Sequence, residues 1–492
     1  MMSSPDMDAG RLDAAAKELQ RLLAGRPLVT AEPFTTSLRT GYTGPAAIEP
    51  LRPTLSIGCY PAWTPAMPGA SLAAENRTQV RSRAERHGWL ARVRHDAERR
   101  LVTLDQPPVI TAWDTTAHLR QLAGAHSTIA AIDGALGNAI EAKHVFDELL
   151  RAAGVPAAVR IPCVHVERLP ALAELRSAVG TTTVVVQAGV TSGGRGTVIV
   201  SGEEDLPRAA QLLGPYRVAA FVDGWSSNIT VLSIPAGDGV RVYVDRPSHR
   251  SVGVTELGTG PARCAGDDWS RPWPADAVAL IIECAERIAD WAWRRYRIAG
   301  LFNLDAILTP DQRVYLNEIN WRDQGTTEVS AVNQQLRGLP PFIVAHLAVM
   351  LGGQVTWLGD PEEFNQDTIA QSGRAGGPYS VKARLTHQAP SRIGPGHPSG
   401  VYRLDLSNRL HRVRPGAHPA DADTDSDEIL LANLPGPDVL CHPGAEIATI
   451  EGLTSGGRRP FIGPHSAAAF TLRVHTALHR LFRPCPPAEG ER

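Results

Sequence analysis

Two hydrophobic rhythms run along the chain, and their alternation organises everything else. Apolar residues recur at helical spacing over 8–23, over 142–156 (AKHVFDELLRAAGVP), over 203–213 (EEDLPRAAQLL) and over 275–296. A charged helix is predicted over roughly 72–100, and a short one over AHLRQLAG, with Thr115 or Thr116 as its cap. Between these lie β-branched or continuously apolar runs of strand length. They are 55–59, PPVITAW (107–113), TTTVVVQAG (181–189), TVIV (197–200), YRVAAFV (216–222), SNITVLSI (227–234), GLFNLDAIL and RVYLNEINW. Helices alternating with strands predict α/β layering.

Punctuation divides the pattern. Residues 1–127 predict a small α/β domain, and 128–356 a larger one. Residues 357–378, rich in Gly, Gln, Asp and Ser, read as a linker. Residues 379–492 carry short strands broken by Pro and Gly, then a helix near 465–481, so a C-terminal α+β domain is expected. HPADADTDSDE (418–428) reads as a solvated acidic loop without the spacing of an EF-hand.

Composition narrows the partners. With 43% hydrophobic and 20% charged residues, the chain can bury ordinary cores. A net charge of -2 argues against nucleic acid, which calls for a basic face. No run of about 18 apolar residues is present, and the N-terminus lacks a basic start followed by an apolar stretch, so no membrane and a cytoplasmic location are expected. Cysteines 59, 163, 264, 284, 441 and 485 form no CxxC pair, which argues for reduced thiols rather than zinc or a disulfide framework. No HExxH, GxSxG or GxxxxGK[ST] occurs.

The chemistry-bearing segment is FNLDAILTPDQRVYLNEINWRDQGTT (302–327). Asp305 lies mid-strand, and Glu318 and Asn320 lie two apart on the next strand, hence on one face. The turn TPDQ folds the two strands together. Two carboxylates and an amide oxygen form a hard-oxygen set suited to Mg²⁺, although the spacing alone fits an exposed polar sheet face as well. Upstream, VVVQAGVTSGGRGTVIV (184–200) forms a strand, a Gly-rich turn and a return strand. Gly193, Gly194 and Gly196 give its tip the freedom to wrap phosphates, with Ser192 beside them as a further nucleotide-binding candidate.

These segments resemble the core of ATP-grasp ligases, in which a strand bearing Asp precedes one bearing Glu-x-Asn. The gap of 13 positions from Asp305 to Glu318 is similar to that of D-alanine–D-alanine ligases. The resemblance covers about 128–350. It implies an ATP-grasp fold behind a pre-ATP-grasp α/β domain, with ATP and Mg²⁺ as cofactors and a magnesium site of Asp305, Glu318 and Asn320. Arg322 is implied at the acyl phosphate, Lys143 at the nucleotide phosphates, and Asp323 and Thr326 beside the substrate. Asp323 and Glu328 are candidate bases. VAAFVDGW (218–225) resembles the hinge, where backbone groups of Ala220 and Val222 would meet adenine, although Ala219, Ser226 and Ser227 stand where acidic residues are frequent. Gln187 stands where most members have Lys, so either Arg195 or another cation compensates or nucleotide binding is weaker.

The implied activity is joining a small-molecule carboxylate to an amine or peptide acceptor, with ADP and phosphate released. The Gln before the loop and the flanking domains resemble pheganomycin-type peptide ligases, which implies a role in peptide natural-product biosynthesis; a homodimer stays open. Two alternatives remain: ATP-dependent carboxylation or ligation in primary metabolism, and a degenerate fold that binds nucleotide as a scaffold. RPSHRSVG (246–253) and Arg263 suit either an anionic substrate or the surface.

Overall fold

The computed structural model describes residues 5–31, 52–57, 83–112, 115–125, 127–189, 194, 196–423, 426–437, 439–454 and 457–485. The candidate residues Ser192, Gly193 and Arg195, and Cys59, lie outside them.

The N-terminal segment is a parallel sheet of β1 (Leu28–Ala31), β2 (Leu55–Ile57), β3 (Val109–Ala112) and β4 (Thr128–Ile129), in the order β2-β1-β3-β4. Helices Arg83–Leu101 and Ala117–Ala123 cover it, burying Leu90, Val93, Leu119 and Leu122 with the strand residues Val29, Ile57 and Ile110. Of the two possible caps, Thr116 does the work: its Oγ1 accepts Leu119 N–H at 3.1 Å. Residues 72–82 of the charged helix lie outside the described residues.

The next unit is a four-stranded antiparallel sheet of β5 (Cys163–Val166), β6 (Val184–Ala188), β7 (Thr197–Val200) and β8 (Tyr216–Ala220), ordered β5-β8-β6-β7. Strict alternation assigns its faces. Val184, Val186, Val198, Val200 and Val218 pack with Leu172 and Leu175 of helix Leu172–Val179. The intervening residues Val185, Gln187, Thr197, Ile199, Arg217 and Ala219 line the opposite face.

The third unit is an 11-stranded antiparallel sheet. It contains β9 (Trp225–Ala236), β10 (Gly239–Val244), β11 (His249–Val252), β12 (Cys264–Asp268), β13 (Gly300–Leu308), β14 (Val314–Asn320) and β15 (Gly377–Arg384). Helix Ala275–Tyr296 buries Val278, Ile281, Ala285 and Ile288 with Ile229, Phe302 and Leu304 of the sheet, which makes the largest core. The β13–β14 hairpin turns at 309–312 as expected; Gln312 adopts φ +65° and its N–H donates to Thr309 O at 2.9 Å.

Two expectations are corrected. Residues 357–378 do not form an unstructured linker, because helix Pro361–Ser372 occupies them and buries Phe364, Asn365 and Thr368. Asp360 caps this helix through Glu362 N–H at 2.9 Å, and Pro361 stands at its first position; composition outweighed that start signal. Nor is 418–428 merely a solvated loop. Glu428 is buried and accepts hydrogen bonds from Arg403 and Arg414, and the Arg414 bond holds its carboxyl down at about 2.

The C-terminal residues extend the same sheet. β12 pairs with β15, and beyond β15 the order runs through β20 (Glu446–Thr454), β19 (Glu428–Ala432) and β17 (Gly400–Leu404) to β18 (Leu410–Arg414). Two small pairs complete this part: β16 (Ser391–Ile393) with β23 (Phe482–Pro484), and β21 (Phe461–Gly463) with β22 (Ser466–Ala467). Helix Ala469–His479 packs Val474 and Leu478 against it. Among the described residues no helix is long and apolar enough to cross a membrane, and the five described cysteines form no disulfide with one another.

Candidate active site

Register brings the acidic residues together. On β13 and β14, Asp305 stands opposite Glu318 and Asn303 opposite Asn320, so all four share one face. A bulge after Asp305 locally bends the pair. This face lines a cavity of about 340 Å³ between the large sheet and the β5–β8 sheet. Lys143, Gln187, Gly194, Ala220, Val222, Asp305, Glu318, Asn320, Arg322 and Thr326 all line it. Asp323 lines a smaller neighbouring cavity with Glu141 and Trp321 instead.

Each carboxylate is held by a cation from another element. Lys143 Nζ, buried at the start of helix Lys143–Ala152, lies 2.7 Å from Glu318 Oε2. Its backbone N–H donates to Gly189 O at 2.9 Å, which ties that helix to the end of β6. Arg250 of β11 reaches Asp267 and Asp305, each at 3.0 Å. It is therefore part of the acidic centre and not a surface residue. Burial pushes Asp305 up, with Arg250 opposing; burial acts on Glu318 too, but Lys143 overcomes it and holds that carboxyl below its ordinary value. The two acids thus respond oppositely to one environment.

A hydrogen-bonded frame fixes this set. Asn228 of β9 donates to Asp305 Oδ1 at 2.7 Å and to Gln324 Oε1 at 3.1 Å, and accepts Thr326 Oγ1–H at 2.6 Å. Arg322 donates to Asn320 Oδ1 at 2.7 Å and lies 3.3 Å from Glu141 Oε2. Glu141 in turn accepts Trp321 N–H at 2.6 Å. Among the described residues no three His, Cys, Asp or Glu side chains converge as a metal site. The donor set is two carboxylates and an amide, all hard oxygens, which is what magnesium accepts while leaving positions for phosphates and water.

Gly194 lies against Ala262, across the cavity from β6. Gly194 has φ +73°, and a Cβ there would collide with Ala262 O. Glycine is therefore required twice over, for conformation and for contact. Gly196 O accepts Ala188 N–H at 2.9 Å, closing the hairpin. At the hinge, Ala220 N–H donates to Pro162 O at 2.9 Å, so that amide is not available to a base; the expected contact there narrows to its carbonyl oxygen and to Val222.

The sequence reading passed over Arg217, Asn228 and Lys382, all described here at or beside the cavity. Arg217 left a trace as a charge inside an apolar strand. Asn228 and Lys382 left none, because only tertiary pairing places their strands.

No family model matches the chain, and no curated protein matches it. Solved structures do. Carboxyaminoimidazole ribonucleotide synthase from Aspergillus clavatus, complexed with ATP, is similar over 93% of this chain and 99% of its own, at 14% identity and TM-score 0.51. Biotin carboxylase from Campylobacter jejuni, in a β-γ-ATP complex, covers 87% of each chain at 15% identity and TM-score 0.55. The biotin carboxylase domain of Hydrogenobacter thermophilus 2-oxoglutarate carboxylase, with MgADP and bicarbonate, matches 87% of this chain and 86% of its own at 14% identity and TM-score 0.50. The chain has the ATP-grasp fold, with mixed helix and sheet throughout.

Proposed function

We propose that this protein is an ATP-dependent carboxylate–amine ligase that works through an acyl phosphate. The observation that carries the proposal is the convergence of Asp305, Glu318 and Asn320 on one face, flanked by Lys143 and Arg322. Nucleotide-bound neighbours with the same fold support it.

In this reading ATP lies between the two sheets. The apolar cross-strand row Ala219, Val185 and Ile199 offers a flat surface for the base, with the hinge at its edge. The polar row Arg217, Gln187 and Thr197 lies one step along the strands, towards the phosphates. Asp305, Glu318 and Asn320 would hold magnesium, which when bound would supply positive charge against the phosphates. Lys143 sits where it can leave Glu318 for a phosphate oxygen. Arg322, fixed by Asn320 and Glu141, presents positive charge where the acyl phosphate and its tetrahedral successor would develop negative charge. Lys143, Arg250, Arg322 and Lys382 together make the cavity receptive to anions. Thr326 and the neighbouring Asp323 would border the acid or amine. The resemblance to peptide ligases makes an amino-acid carboxylate and a peptide amine the first pair to try, in natural-product assembly.

The test is the nucleotide product from Mg-ATP with a panel of amino acids, short peptides and bicarbonate. ADP and phosphate that appear only when an acid and an amine are both present are the expected result. AMP with pyrophosphate would overturn the acyl-phosphate route. Nucleotide-dependent stabilisation with no product from any pair would favour a binding protein over an enzyme.

A further inference from the structure

The β5–β8 sheet presents a buried cation to the cavity from a strand that the loop's own sequence does not include. Arg217 lies in the middle of β8 and is only 2% exposed, yet it lines the cavity. It stands directly opposite Gln187 on β6, and Gln187 stands opposite Thr197 on β7. Its guanidinium donates to Gln187 Oε1 at 2.7 Å and lies 5.9 Å from the Phe146 ring centre. Its Nε, also buried, finds no acceptor among the described residues. Asp147, whose neighbour Cys163 also feels Arg217, is itself bound by Arg151. A buried cation with an unused donor is costly unless an anion meets it.

The hydrogen bond also decides how Gln187 points. A guanidinium carries donors only, so the amide must turn its oxygen to Arg217. Its NH₂ group is then left as a donor, with Thr197 Oγ1 at the long distance of 3.5 Å. Arg217 and Gln187 therefore present donors side by side, on the same face as the phosphate end of the cavity. A Lys at 187 would stand opposite Arg217, and two like charges in a cross-strand pair repel. The two positions are chemically linked: a cation at 217 suits a neutral residue at 187.

We infer that Arg217 supplies the phosphate-binding charge of this loop, acting with the Gln187 amide, so that the cation has moved one strand sideways. The inference rests on the proposed nucleotide site. It assigns Arg217 to the phosphates, and not to the base or to holding the sheet together.

The experiment separates these roles with two ligands. Binding of Mg-ATP and of adenosine is measured by calorimetry for the wild type, Arg217→Met, Arg217→Lys and the exchanged pair Gln187→Lys with Arg217→Met. Thermal melting checks that each variant folds. Loss of a charge-assisted contact should weaken Mg-ATP by roughly 10- to 100-fold in Arg217→Met and leave adenosine within about twofold. The exchanged pair should recover most of the Mg-ATP affinity, and Arg217→Lys should fall between wild type and Arg217→Met. Arg217→Met that binds Mg-ATP like wild type would overturn the inference, as would equal loss of both ligands. If Arg217→Met does not fold, a folded exchanged pair that fails to bind Mg-ATP overturns it as well. A wild type that binds adenosine but gains nothing from the phosphates overturns the role of Arg217 alone. A wild type that binds neither ligand removes the nucleotide site itself, and this inference with it.

Discussion

The cavity has two walls built on opposite electrostatic plans. The large-sheet wall carries acids, each paired with a cation: Glu318 with Lys143, and Asp305 with Arg250, while Asn228 donates a hydrogen bond to Asp305. The β5–β8 wall carries no acid among its cavity-facing strand residues, only an apolar row and a donor row. On the proposed function, the contrast is what would let one cleft take both a divalent cation and a polyanion. The acidic wall pairs each carboxylate with a cation, while the other wall presents the Arg217 guanidinium and the Gln187 amide with no carboxylate among its cavity-facing strand residues. Buried pairs of this kind add little net stability, and their value lies in fixing geometry.

The strongest way to break the comparison is to neutralise the acidic wall. Asp305→Asn together with Glu318→Gln should cut ADP formation by about 10³-fold or more, since charge stabilisation of the transferring phosphoryl group is the main catalytic contribution. Adenosine binding should survive, because the other wall is untouched. Near-normal turnover in the double variant would remove the assignment of the metal site.

A smaller effect is expected from the tip that joins the walls. Gly194→Ala must relieve both a positive φ and a collision with Ala262 O. Strain of about 1 to 3 kcal/mol at such a position predicts a loss of roughly 5- to 150-fold in Mg-ATP affinity. Unchanged affinity would mean that the tip does not need to close on the 260–263 loop.

The smallest effect near neutral pH concerns protons. Burial raises Asp305, so its protonated form is favoured in the fold; this group's stability contribution is full at low pH and is lost as pH rises through the raised value. Glu318 is lowered, so its contribution is present above its unfolded value near 4.5 and is lost as pH falls through the lower one. Metal ligation needs both carboxylates charged. Mg-ATP affinity should therefore fall on acidification while pH is still above about 4, the ordinary Asp range, with the fold intact by circular dichroism. Affinity that stays flat down to that pH would break the link between a raised Asp305 and metal ligation.

Much of the acidic wall was legible because its information is local. Asp305, Glu318 and Asn320 lie within one hairpin, and a period of two together with a short turn suffices to place them on one face. The β6–β7 strand pair was legible for the same reason, and so were the long helix at 275–296 and the strand at 300–308, whose observed bounds agree with their apolar patterns. The helix at Pro361–Ser372 was missed although its Asp-Pro start is local, because a Gly- and Gln-rich surrounding suggested a linker. Thr326 could be placed near the site by its distance from Asn320, but its hydrogen bond to Asn228, 98 residues away, could not.

By itself, then, the sequence placed many of the strands and helices, set Asp305, Glu318 and Asn320 on one face of a hairpin, and put Gln187 before the loop. The tertiary structure decided which cations face those ligands. Strand order is a long-range choice, and only the pairing of β11 with β9 and β12, and of β8 with β6, sets Arg250 beside Asp305 and Arg217 beside Gln187. Side-chain charge can be read one residue at a time, but its partner is fixed by which strands share hydrogen bonds, and that depends on burying the apolar faces of the whole sheet together.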